Sequence, residues 1–233
     1  MRRPRITWGT WDVVLAWLAG VFASLVAGSF VTSTRTTPLE LSVLLVAQDG
    51  ATIAYLAVVA QRKGLGSLAA DFGLRFRCPG GLGENVTWLL LGAGLQLVWL
   101  PALRLLEDAH GEVARQEAVQ IASRSNGVAI PLIVVAIGLV APVTEELLYR
   151  GALLRSLARR FTAGWAVFAS AAIFGLVHFA DPSIGTLVAF PAIFSLGLVS
   201  GYQAMRTGDL SRSVMLHVGF NLLSVVDLLV KLS

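Results

Sequence analysis

The decamer Ala141-Pro142-Val143-Thr144-Glu145-Glu146-Leu147-Leu148-Tyr149-Arg150 closes an apolar run that begins at Val128. Two adjacent glutamates and an arginine at such a place must be paired or must face a wet interior. A charge at the centre of a bilayer costs at least ~2.5–3.5 kcal/mol, so charges kept there tend to be functional. Glu146 and Arg150 stand four residues apart, which puts them on one helix face. Glu145 points about 100° away from Glu146, the rotation of a helix per residue. One glutamate is therefore placed to pair with the arginine, and the other is left for chemistry. The fold that shelters such a group is a bundle of several helices.

The bulk composition agrees. Hydrophobic residues make up 56% and charged residues 14% of the 233 residues, with a mean hydropathy of +0.75. Soluble domains carry about 25% charged residues. This length provides six to eight membrane helices of about 20 residues each. The expected fold is all-α, a polytopic transmembrane helical bundle of about 7–8 helices. Residues 1–126 supply three spans and an outer loop, residues 127–233 the functional core, and the two form one integrated bundle. The net charge of +4 gives no reason to expect nucleic acid, because the basic residues are spread over loops where topology explains them. The single Cys78 excludes an internal disulfide and a cysteine-based zinc cage, and it reads as a spectator.

Arg2, Arg3 and Arg5 precede an apolar run from Trp11 to Val31. A signal-peptide core has only about 7–15 residues, so this run reads as an uncleaved first helix with a cytoplasmic N-terminus. The second run, Pro38 to Ala60, is interrupted by Gln48, Asp49 and Gly50. Asp49 fits either the bundle interior or a helix-packing hydrogen bond. Arg62, Lys63, Arg75 and Arg77 make the following loop basic, hence cytoplasmic, and Cys78 to Gly83 is rich in turn residues. A third span covers Val86 to Leu106. Glu107 to Asn126 is polar and outer, with His110 as a solvated surface histidine. Pro142 ends or kinks the fourth run, and the helical pattern resumes to Arg160. Trp165 to Ala180, Ile184 to Met205 and Ser213 to Leu232 complete seven spans, with Asp181-Pro182 ending the fifth run and an inner turn at Arg206 to Asp209.

Three buried places carry polar chemistry: Glu145/Glu146/Arg150, His178, and His217 with Asn221. If the chain turns near Phe161 and Thr162, Glu145 and His178 each lie about 16 residues, roughly 24 Å, from that turn. They then share one depth on neighbouring antiparallel helices. His217 and Asn221 are an i, i+4 pair on one face. His217 lies only roughly 7–10 Å past the inner turn, so the tip between the fourth and fifth helices must project for all groups to be level. The site then falls on the cytoplasmic side of the midplane. Each group also has a plainer reading: a structural Glu146–Arg150 ion pair, a packing histidine, a His217/Asn221 helix cross-link. Together they form the parts of a hydrolytic site. A carboxylate in a partly dry cavity accepts a proton from water, an imidazole opposite holds that water, and N–H donors stabilise the oxyanion.

These residues resemble the CAAX protease and bacteriocin-processing family of intramembrane endopeptidases, which includes the type II CAAX prenyl proteases. Its EExxxR motif reads here Glu145-Glu146-Leu147-Leu148-Tyr149-Arg150, its FxxxH motif Phe174-Gly175-Leu176-Val177-His178, and its HxxxN motif His217-Val218-Gly219-Phe220-Asn221. The similarity covers roughly Val128 to Val226. It implies a cavity open to cytoplasm and lipid in an integral protein of a bacterial cytoplasmic membrane. Glu145 and His178 would activate water, His217 and Asn221 would form the oxyanion hole, and Glu146, Arg150 and Phe174 would brace the site. Membrane lipids and a peptide or protein substrate, prenylated or CAAX-like, are the implied partners. No cofactor is expected.

Two other readings stand beside this one. Family members have been labelled metalloproteases, and Glu145, His178 and His217 form a set suited to zinc with an open fourth position; against it, the chain has no HExxH. A non-catalytic scaffold, immunity or transporter component would bind a peptide in the same cavity. Transporters show inverted repeats and matched helix breaks, whereas this sequence has one break, at Pro142, and no repeat.

Overall fold

Helix boundaries follow local capping chemistry. Thr37 accepts a hydrogen bond from the Glu40 backbone, Glu40 caps Thr37 in return, and Pro38 occupies the first turn, so α2 starts at Pro38. Ser67 caps Leu68, and Gly73, at φ 76°, stops the helix one turn later. The structure, a computed structural model, describes residues 6–31, 37–110, 129–178 and 184–232. The N-terminal arginines, most of the polar stretch between Glu107 and Asn126, the Asp181-Pro182 break and the side chain of His110 lie outside what it describes.

Among the described residues the chain forms eight helices and no strand. They are α1 (Thr10–Gly28), α2 (Pro38–Lys63), the short α3 (Leu68–Phe72), α4 (Leu82–His110), α5 (129–158), α6 (Ala163–Val177), α7 (Ile184–Thr207) and α8 (Ser211–Leu232). The all-helical expectation is met, and α3 is an addition to it. Three helices among the described residues are long and apolar enough to cross a membrane: Thr10–Gly28, Leu39–Lys63 and Leu82–Ala102. Ala163–Val177 is apolar but has only 15 residues. Large apolar side chains face outward, among them Phe22 (68% exposed) and Val98 (72% exposed). Lipid, not water, suits such a surface, and the chain is an integral membrane protein.

Four connections meet at one end of the bundle. The Thr7 backbone donates to the Lys63 carbonyl at 2.8 Å. Trp8 donates from its indole nitrogen to Asp71 at 2.9 Å, and Asp71 also accepts from the Leu65 backbone. Arg159 donates to the Trp8 carbonyl at 2.7 Å, and its guanidinium covers the Trp8 ring at 4.2 Å. Arg155 donates to the Gly208 carbonyl at 2.6 Å. Asp71 is thus a buried acceptor. Cys78 is buried as well, and burial pushes its thiol up, in keeping with a spectator.

These contacts set the depth of the interior. Arg155 is level with Gly208, and Glu146 and His217 each lie nine residues further into the bundle on antiparallel helices.

α8 is held against α4 at unusually close range. A Cβ at Gly219 would collide with the Leu89 carbonyl, and a Cβ at Gly92 with the Leu216 carbonyl. Small residues let helix backbones approach in this way. The contact fixes the height of α8 and hence of His217. Gly92→Ala is expected to destabilise the protein by about 1–3 kcal/mol. Gly94→Ala, where a Cβ meets nothing within 4 Å, should be neutral or mildly stabilising. Paired denaturation curves in detergent check this, and equal midpoints for the two variants would contradict it.

Candidate active site

α5 is not a uniform helix. Wide turns at Ala136–Val140 and Glu146–Leu153 flank the regular segment Ala141–Glu145. Such i→i+5 turns are rare and cluster at functional sites. Pro142 explains the first. It has no N–H, and its ring would strike the carbonyl of residue 138 in a regular helix. In the wide pattern Ala141 donates to Ala136, so the next donor in line, for Ile137, would be Pro142. The Ile137 carbonyl is thereby released, and the side-chain amide of Asn221 donates to it at 2.9 Å. The kink expected at Pro142 is thus a change of helical pitch, paired with Asn221 on α8.

The second wide turn carries the ion pair. Arg150 Nη1 lies 3.2 Å from Glu146 Oε1, and neither side chain has any exposure. Arg150 also stacks on the Phe174 ring at 4.1 Å. The same Glu146 oxygen accepts from His217 Nδ1 at 2.9 Å. Glu146 therefore holds both the arginine and one edge of a histidine. Phe174 is the platform of the site: besides Arg150 it meets Tyr149 at 5.1 Å, His178 at 4.7 Å and His217 at 5.7 Å, all edge-on.

Glu145 lies between the two imidazoles. His178 Nε2 is 3.6 Å from its Oε1, and His217 Nε2 is 3.5 Å from its Oε2. The helical hairpin whose second arm, α6, begins after Thr162 brings His178 to this level, and the α4–α8 contact brings His217. Glu145 and His178 keep about a quarter of their side-chain surface open, at 25% and 29%, whereas His217 is 3% exposed. Six of the seven residues singled out from sequence, Glu145, Glu146, Arg150, Phe174, His178 and His217, converge in one cluster. Asn221 follows His217 by one turn of α8 and binds the Ile137 carbonyl, and His217 faces Glu145 as closely as His178 does.

The tautomers follow from the partners. His178 Nδ1 lies 2.7 Å from the Phe174 carbonyl, which only accepts, so Nδ1 carries a proton. His217 Nδ1 faces the Arg150-bound carboxylate and carries one for the same reason. Neutral rings would then direct two lone pairs at an acceptor carboxylate. The arrangement calls for a proton, or a group bearing positive charge, between Glu145 and the rings. Metal-bound histidines also spend their second N–H on an oxygen acceptor. Among the described residues, however, no three His, Cys, Asp or Glu side chains form a group that could hold one metal ion.

Two contributors escaped the sequence reading. Tyr149 lies at a variable position of the EExxxR motif; in the fold its ring packs on Phe174, and its carbonyl accepts from Ser170 on α6 at 2.9 Å. Thr144, also inside the quoted stretch, is buried and directs its hydroxyl to the Val140 carbonyl at 3.0 Å. A hydroxyl directly preceding a functional acid was the available signal.

The fold and the cluster define a helical membrane protein with an acid and two imidazoles meeting inside the bundle. Residues 127–223 match the family described as "Type II CAAX prenyl endopeptidase Rce1-like", and it is this segment that is similar to that family. The matched segment holds every residue of the cluster. Neither the curated proteins nor the solved structures gave a match to the chain.

Proposed function

We propose that the protein hydrolyses a peptide bond by glutamate-dependent water activation, close to the cytoplasmic membrane face. The observation that carries this reading is the approach of both histidine Nε2 atoms to separate oxygens of Glu145. Water held between Glu145 and His178 gives a proton to the carboxylate as its oxygen attacks the scissile carbonyl. The carbonyl oxygen becomes an oxyanion facing Asn221 and His217, the latter donating from Nε2 when that nitrogen carries a proton in addition to the one Nδ1 gives to Glu146. Asn221 has two amide protons and spends one on Ile137, which leaves the other for the oxyanion. Collapse of the intermediate breaks the C–N bond, and the proton on Glu145 passes to the leaving amine. Preorganised donors of this type are worth ~2.7–4 kcal/mol each. The substrate is a peptide or protein segment, prenylated or CAAX-like in the family's manner, reached from lipid. The basic connections at the Trp8 end favour the cytoplasm for that end and for the N-terminus.

A second reading, zinc held by Glu145, His178 and His217, is favoured by one observation, that both rings use Nδ1 on an oxygen acceptor and turn Nε2 inward; it would need the three side chains to move, since as placed they do not form a three-ligand group.

The deciding experiment is cleavage of a labelled peptide library by the purified protein in detergent, read by mass spectrometry with and without a strong chelator. Chelator-resistant cleavage is expected. Cleavage lost to chelator and restored by zinc transfers the case to the metal reading. Absence of cleavage under every lipid and detergent condition overturns both and leaves the scaffold.

A further inference from the structure

α6 carries one hydroxyl, that of Ser170, and apart from the Trp165 indole no other side chain in Ala163–Val177 has a hydrogen-bonding group. Ser170 is 1% exposed. A hydroxyl inside a helix commonly gives its proton to a carbonyl one turn back on the same helix. Thr52, Thr87, Thr144 and Ser195 do so in this chain. The Ser170 hydroxyl instead donates across to the Tyr149 carbonyl on α5, at 2.9 Å. That carbonyl lies in the wide turn Glu146–Leu153 and also accepts from the Leu154 backbone. A carbonyl oxygen has a lone pair for each donor.

The bond is one end of a strip of contacts. Ser170, Phe174 and His178 follow one another at intervals of four residues, which puts them along one side of α6. Ser170 meets Tyr149, Phe174 meets Tyr149 and Arg150, and His178 meets Glu145. His178 closes α6, and its Nδ1 is tied to the Phe174 carbonyl of the same helix at 2.7 Å. The imidazole therefore travels with α6, as Glu145 travels with α5. Much of α6 is small and apolar, with Ala166, Ala169, Ala171, Ala172 and Gly175 among its residues. In lipid, no hydrophobic force prefers one register of such a helix over the next, and packing and interhelical hydrogen bonds must choose it. A slide by one residue moves the imidazole by about 1.5 Å, and a misplacement of about 1 Å can cost 10²-fold in rate.

We propose that Ser170 is a positioning residue: its bond to the Tyr149 carbonyl fixes where α6 stands along α5, and with it the place of His178 opposite Glu145. This inference rests on the glutamate-dependent reading of the preceding subsection.

Ser170→Ala strands no buried group, because the Tyr149 carbonyl keeps the Leu154 N–H, and alanine is the better helix former. The variant should fold with an unfolding midpoint close to that of the wild type. The full chain in detergent, with the peptide found by the library screen, gives the kinetics. In Ser170→Ala kcat should fall about tenfold with KM within about twofold, the signature of a misplaced reacting group. Ser170→Thr, which keeps the hydroxyl, should bring kcat back to within about threefold of wild type. An unchanged kcat in Ser170→Ala overturns the proposal. So does a lowered midpoint with kcat per folded molecule intact, the mark of a purely structural bond, and so does a folded Ser170→Thr as slow as Ser170→Ala.

A second readout does not need activity. The chain has three histidines, so the imidazole NMR signals of His178 can be followed, assigned by their loss in His178→Gln. At constant pH, Ser170→Ala should shift them, and Ser170→Thr should leave them near their original positions. Unmoved His178 signals in Ser170→Ala refute the positioning role even if no substrate is found. Failure of wild-type cleavage, with the signals shifting as expected, instead refutes the glutamate-hydrolase reading alone.

Discussion

Glu145→Gln should reduce peptide cleavage by about 10²–10⁴-fold, the usual contribution of a positioned acid or base, while leaving the protein folded. Glutamine keeps the shape of glutamate and can still meet both imidazoles, but its amide takes no proton from water. The side chain is 25% exposed, so the change leaves no buried charge behind. The free energy of unfolding should change by less than about 1 kcal/mol, because glutamine keeps the volume of the side chain and strands no charge. Initial rates and thermal unfolding of the same preparation give both numbers. A variant that cleaves at the wild-type rate would remove Glu145 from the chemistry and return the scaffold reading to the front.

The second large effect concerns stability. Arg150→Met should destabilise the protein by about 3–5 kcal/mol, because it strands a buried carboxylate. Glu146 and Arg150 both have 0% side-chain exposure, so water cannot take over the lost partner. Phe174 would lose the cation on its face, and Glu146 would keep only His217. Glu146→Leu combined with Arg150→Met should recover a substantial part of the loss, since removing both charges also removes the desolvation cost. It should not recover activity, because His217 Nδ1 then lacks its acceptor. Reversible denaturation in mixed micelles compares the single and double variants. A double variant weaker than Arg150→Met alone would show that the ion pair contributes more than it costs to bury.

Much of this site was legible in the sequence. Local spacing carried the pairing of Glu146 with Arg150, and counting from a turn near Phe161 and Thr162 gave Glu145 and His178 the same depth. The structure places that turn between Ala158 and Ala163. The rest depended on contacts between distant residues. Pro142 announced a disturbance in α5 but could not say that the Ile137 carbonyl would be released or that Asn221 would take it. α3, five residues long, is too short for a periodic pattern. Trp8 precedes the first apolar run, and only the fold shows its indole on Asp71 and its ring under Arg159. His217 was read as an oxyanion donor from its spacing to Asn221, and its equal approach to Glu145 arises from the packing of α8 on α4.

The knot around Trp8 has a practical corollary for sidedness. The segment at Thr7, the α2–α3 link, the arginine-bearing end of α5 and the loop before α8 are fastened to one another by hydrogen bonds. They must all emerge in one compartment, so a single reporter fused at any of them assigns the orientation of the whole chain. A pair of reporters at two of these places that scored opposite compartments could not both sit on the natively assembled molecule.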